Sequence, residues 1–116
     1  MDKQFGYCRV GAAVPVVLPA AVSDNVASLT ELAVKAAGDG VRVLVFPELC
    51  VTGYTCADLF FQPALLDAAE KGLSSFLEKT ATLDTLLIVG LPLRLEGMLF
   101  NCAAVCCWGK LLGVVP

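Results

Sequence analysis

Histidine is absent from these 116 residues. That single absence excludes serine–histidine–aspartate and cysteine–histidine catalysis built within the chain. Charge is also scarce: 16% of residues are charged, against about 25% in an average domain. The net charge is −3 and no basic run occurs, so nothing resembles a nucleic-acid footprint. No glycine-rich phosphate loop of a recognised form is present. Nor is there an unbroken apolar stretch long enough to span a membrane. The longest uncharged segment, Val10 to Ser23, contains Pro15 and Pro19, whereas a spanning helix needs about 20 consecutive apolar residues. Lys3 and Arg9 ahead of that segment give it a faint likeness to a secretory signal, but the two prolines break it.

What remains is strongly apolar. Hydrophobic residues make up 58% of the chain, above the typical value of about 45–50%. This excess fits strands buried on both faces, and equally a fragment separated from its partner surfaces. One domain of this length can bury about two-thirds of its unfolded surface. The six cysteines, Cys8, Cys50, Cys56, Cys102, Cys106 and Cys107, have no zinc-site spacing and no histidine to complete one. They read as reduced thiols in a cytoplasmic protein rather than as a disulfide framework.

Periodicity orders the chain. Tyr7–Val14 reads as a first strand ending at Pro15. Ser23-Asp24-Asn25 offers a helix N-cap, followed by Val26, Leu29, Ala33 and Ala36 at helical spacing; Gly38 and Gly40 stop the helix. Val41–Phe46 is a β-branched strand closed by Pro47. Glu48–Gln62 has no clean period and reads as a loop passing into helical turns. Pro63 then suits the first turn of a second helix, with Leu65, Leu66, Ala69, Leu73, Phe76 and Leu77 on one face. Thr85–Leu91 is a buried strand and Arg94–Gly97 a turn. Met98–Trp108 and Lys110–Val115 form a hairpin around Gly109. The predicted order is β-α-β-α-β-β-β, an α/β arrangement with helices packed on a central sheet.

The residue best placed for chemistry is Glu48, in Phe46-Pro47-Glu48, where a buried strand meets a loop. Ligands and catalytic groups gather at the carboxyl ends of strands in open α/β folds. Apolar neighbours at Pro47 and Leu49 suggest a carboxylate pressed into apolar surroundings, where desolvation raises the pKa and favours a general base. A solvated carboxylate opening a loop is the plainer reading of the same residues.

The run Val43–Gln62 resembles the first motif of the nitrilase superfamily through Phe46-Pro47-Glu48. Its continuation, Thr52-Gly53-Tyr54-Thr55-Cys56-Ala57-Asp58-Leu59-Phe60, is similar to the glutaminase domain of glutamine-dependent NAD synthetases. Leu87–Leu93, Leu99–Ala104 and Gly113–Pro116 agree with that domain, so the resemblance runs from Tyr7 onward. It implies part of an α-β-β-α sandwich and a Glu-Lys-Cys triad that hydrolyses glutamine through a thioester. It implies Glu48 as the base and Tyr54 as a substrate contact in the glutamine pocket. Gly53 is expected to permit a tight turn or close approach, Asp58 to cap a helical turn, and Asn101 to serve the strand ladder or a turn, with support of the site by hydrogen bonding as the alternative.

The same resemblance implies that residues 1–116 form the N-terminal part of the carbon-nitrogen hydrolase domain. The lysine, the nucleophilic cysteine and a C-terminal synthetase domain would follow Pro116. No cofactor or metal ligand is expected within this chain; ATP and magnesium are implied for the synthetase domain, and a homo-oligomer for the full-length protein. None of the six cysteines, nor Lys110, stands at the position of the missing groups, so these residues alone are expected to be inactive. The other readings are a fragment of a free-standing nitrilase-like amidase, and a non-catalytic truncated protein that binds a full-length partner.

Overall fold

Two amphipathic helices and five strands are built from these patterns in a computed structural model that describes residues 6–116. Helix α1, Val22–Gly38, buries Val22, Val26, Leu29 and Ala33 along one stripe. It ends in a Schellman motif. Gly40, at φ +81°, donates to Ala37 and Val41 donates to Ala36, so the last carbonyls are satisfied as the chain reverses. Helix α2, Pro63–Lys79, begins with Pro63 at its first position and buries Leu65, Leu66, Ala69, Leu73 and Phe76. Phe76 meets Phe46 edge to face, with ring centroids 6.3 Å apart.

The predicted cap at Ser23-Asp24-Asn25 is not made. The helix starts one residue earlier, and Ala21 occupies the cap position without a side-chain bond. Asp24 lies in the first turn, where its charge complements the helix dipole. Asn25 turns inward and is only 1% exposed. Its side-chain amide accepts a hydrogen bond from the Leu18 amide and donates to the carbonyls of Leu18 and Val51. A residue type that favours caps instead ties two loops together, because its short amide matches three backbone groups, one of them the buried Val51 carbonyl.

Strands β1 (Val10–Ala12), β2 (Val43–Val45), β3 (Leu86–Leu95), β4 (Met98–Cys107) and β5 (Lys110–Val115) lie side by side in sequence order. β1, β2 and β3 are parallel; β3, β4 and β5 form an antiparallel meander. The expected element order is therefore observed. Some boundaries move. The first strand is shorter than Tyr7–Val14, and Arg94 and Leu95 belong to β3 rather than to a turn. Two-residue turns at Glu96-Gly97 and Trp108-Gly109, with positive φ at every central residue, close both hairpins.

Pro92 does not end β3, and the backbone parity explains why. Ile88 and Gly90 direct their carbonyls to the β2 side, accepting from Phe46 and Val51. Pro92 shares their parity, and β2 ends at Val45. Its missing N–H therefore faces a side with no strand and costs no β4 ladder bond.

The sheet has two unlike faces. Leu44, Phe46, Leu87, Val89, Leu91, Ala104 and Cys106 pack with α1 and α2 in one core. By alternation, Val10, Val43, Val45, Ile88, Ala103, Val105 and Val115 point to the other side. No described element covers that side, and Val10, Val45 and Val115 stay exposed. The described residues thus supply one helical layer and one sheet of a layered α/β fold.

The interior bonds of Asn25 yield a stability prediction. Asn25→Ala removes the two bonds to Leu18 and strands the buried Val51 carbonyl, and is expected to cost about 2–3 kcal/mol. Chemical denaturation checks this; an unchanged midpoint would show that the two loops are held by other contacts.

Candidate active site

Glu48 stands just beyond the carboxyl end of β2. The Phe46 amide donates to Ile88 at 2.9 Å, carrying the pairing with β3 one residue past β2. Pro47 then turns the chain, Leu49 adopts φ +52°, and the Gly53 amide closes the turn onto the Leu49 carbonyl at 2.7 Å. The loop comes back against β3, where the Val51 amide donates to Gly90 at 3.1 Å.

This docking is possible because residue 90 has no side chain. A Cβ there would lie 2.4 Å from the Leu49 nitrogen and 2.7 Å from both the Glu48 Cα and the Pro47 oxygen. Those are backbone atoms, so no side-chain rotation relieves the clash. The Cys50 sulfur fills the other side of the contact, 3.4 Å from the Gly90 nitrogen. Burial pushes the Cys50 thiol up to about 11, although its hydrogen bond to the Gly90 backbone pulls the other way. Cys106 is likewise pushed up to about 11, chiefly by burial with help from Cys107, and burial also raises Cys102. These three thiols stay protonated near neutral pH and are poor nucleophiles.

Seated over Gly90, Glu48 reaches across β3 to β4. Asn101 Nδ2 donates to Glu48 Oε2 at 3.0 Å, a bond joining positions 53 apart in the chain. Asn101 pairs with Pro92 in the strand register, and its side chain lies on the open face of the sheet. Its side chain thus makes a hydrogen bond at the site, the alternative given beside the ladder or turn role expected for it. Glu48, Asn101, Pro47, Ile88, Gly90 and Val115 border a shallow groove of about 310 Å³. Cys102 adjoins this groove, but its register partner Leu91 belongs to the helix-covered face.

Glu48 itself is exposed. The expectation of a carboxylate pressed among apolar groups is corrected here, because the groove opens on the sheet face that no described element covers. Tyr54 is 66% exposed and does not border the groove. Gly53 has φ +97°, and a Cβ there would sit 3.1 Å from the Pro19 Cα, so the backbone turns tightly and approaches closely at once. Asp58 caps nothing: it lies inside the short 3₁₀ turn Ala57–Phe61, whose cap position is Cys56 without a side-chain bond. Lys110 pairs with Cys107 at the far end of the β4–β5 hairpin from Asn101. Among the described residues, the site offers a carboxylate fixed at one oxygen, with neither a lysine nor a cysteine thiol in place beside it.

The carbon-nitrogen hydrolase family profile matches residues 10–114. The chain is 38% identical over 113 residues to the glutamine-dependent NAD(+) synthetase of Mycobacterium tuberculosis, covering 97% of this chain and 17% of that protein. Among solved structures, a glutamine-dependent NAD(+) synthetase from Cytophaga hutchinsonii superposes with a TM-score of 0.86 at 29% identity, over 92% of this chain and 18% of that one. The NitN amidase from Neterenkonia sp. AN1 shares the fold, with a TM-score of 0.73 at 20% identity, over 94% of this chain and 43% of that one.

Two outcomes follow from the geometry. Gly90→Ala forces the Pro47–Leu49 backbone off β3 and is expected to cost about 3 kcal/mol. Denaturation of the variant measures it, and a loss below about 0.5 kcal/mol would contradict the contact. Alkylation with iodoacetamide near neutral pH should spare Cys50 and Cys106 in the folded protein while exposed Cys8 reacts; peptide mapping that found Cys50 labelled as fast as Cys8 would refute the protection.

Proposed function

Because the chain belongs to the carbon-nitrogen hydrolase family, we propose that Glu48 is the general base of a cysteine-dependent amide hydrolysis, within the glutaminase part of a glutamine-dependent NAD synthetase. The observation that carries this is the placement of Glu48 at the carboxyl end of β2, on the border of the groove, with Oε2 held by Asn101. The names of the relatives supply the substrate. Residues 1–116 are then the N-terminal part of the hydrolase domain, and the chain spans about one-sixth of the Mycobacterium tuberculosis relative.

In this reading Glu48 removes the proton from a thiol supplied by a cysteine beyond Pro116. The sulfur attacks the side-chain amide carbon of glutamine, and a lysine beyond Pro116 stabilises the developing oxyanion. The proton held on Glu48 passes to the departing nitrogen, which leaves as ammonia. Water, deprotonated by the same carboxylate, then cleaves the thioester to give glutamate and restores the thiol. Tyr54 contacts the glutamine from the loop that follows Glu48. A second sheet packs on the open face bearing Val45, Ile88 and Val115, as the two-sheet fold of the family requires, and brings the missing groups to the groove.

Ammonia is consumed in a C-terminal synthetase domain that uses ATP and magnesium. No group of three acidic, cysteine or histidine residues suited to a metal occurs among the described residues. The full-length protein is read as a cytoplasmic homo-oligomer. No helix among the described residues is long and apolar enough to cross a membrane.

Glu48→Gln in the full-length protein tests the assignment. A positioned base is worth about 10²–10⁴ in rate. Glutamine-dependent NAD formation should therefore fall by about a thousandfold, while formation from added ammonia stays unchanged. A glutamine-dependent rate within a few-fold of the unsubstituted protein would refute it. Residues 1–116 alone should release no ammonia from glutamine, and release that disappears on Glu48→Ala would show that the chain is sufficient.

A further inference from the structure

Resting on the amide-hydrolysis reading, we infer that Asn101 is a positioning residue for the base: its side-chain amide holds Glu48 Oε2 so that Oε1 faces the groove as the proton-accepting oxygen. The backbone prepares this bond from both sides. Gly90 lets the Glu48 Cα approach β3, where a Cβ would stand 2.7 Å from it. That closeness is what lets a side chain from the β2 end meet one from β4, on the far side of β3. Asn101 lies two residues before Ala103, the register partner of Gly90, and therefore projects from the same face as the groove.

The residue type suits the task. A carboxylate is an acceptor with two oxygens, and an unrestrained one rotates between equivalent states. An amide N–H fixes one oxygen by hydrogen bonding without bringing a charge. A lysine or arginine there would hold the carboxylate more firmly but weaken it as a base, and an aspartate would repel it. Asn101 is exposed, so its side chain contributes little to the packed core of the described residues. Its polar contact is spent on Glu48, which separates its role from that of buried Asn25.

The test compares Asn101→Ala, Asn101→Gln and Asn101→Asp in the full-length protein, with Glu48→Gln alongside. Asn101→Ala should lower kcat for glutamine by about tenfold to a hundredfold, the range expected for one lost hydrogen bond to a charged group. KM should change little, the thermal midpoint should hold, and ammonia-supported NAD formation should be unaffected. Asn101→Gln should recover part of the rate, and Asn101→Asp, which repels the carboxylate, should recover none. Wild-type kcat in Asn101→Ala, with Glu48→Gln still impaired, would overturn this inference alone. A rate loss that tracks a lowered thermal midpoint, with no recovery in Asn101→Gln, would overturn it too, by making the role structural. If Glu48→Gln also leaves glutamine turnover intact, the reading beneath it falls.

Discussion

The bare backbone at Gly90 is the contact on which the rest of the site depends. There, the loop after β2 and the middle strand of the sheet approach so closely that a single methyl group would overlap three backbone atoms. Glycine in a strand ordinarily weakens it, since it packs nothing and loses more entropy on folding. Here the missing side chain is occupied by another piece of chain. The Val51 amide and the Cys50 sulfur seal the contact, and Asn25 secures the same loop from behind through the Val51 carbonyl. Glu48 inherits its position from backbone packing that involves no charged group.

The two faces of the sheet divide the work of structure and chemistry. On one face, α1 and α2 close over aliphatic and aromatic side chains, with Phe46 and Phe76 in edge contact. On the other, valines and an isoleucine surround a groove holding a carboxylate and an amide. A carboxylate in such a position is affected strongly by what covers it, since excluding water strengthens each hydrogen bond it makes. The arrangement places the residue that needs a controlled environment on the face available for a second layer, while the helical face stabilises the fold independently.

Much of this was legible beforehand, for identifiable reasons. Helices whose apolar residues recur at three and four positions announce themselves, and both were placed closely. Glu48 was legible because a β-branched strand ends at Pro47 directly before it. Other features were hidden because their cause is distant in the chain. Nothing near Asn101 indicates that its amide meets a residue 53 positions earlier. Asn25 resembles a cap because asparagine favours caps, and only the folded loops show what it binds. The strand expected to end at Leu91 runs on through Pro92, because the parity of that residue's backbone places the missing donor where no neighbour exists. The openness around Glu48 was masked by its apolar sequence neighbours, Pro47 and Leu49, which reveal nothing about the face above.

The register of the Glu48–Asn101 bond also bears on the order in which the molecule takes shape. Asn101 sits in a hairpin closed by a two-residue turn, a kind of structure that forms within microseconds from contacts close in sequence. Glu48 reaches it only after the parallel pairing of β2 with β3, which must first close a loop containing all of α2. The bond therefore joins a hairpin made of contacts close in sequence to a crossover that spans a whole helix. A chain whose crossover is not in place cannot make it, so the bond serves as a local record that the long-range pairing of β2 with β3 has formed.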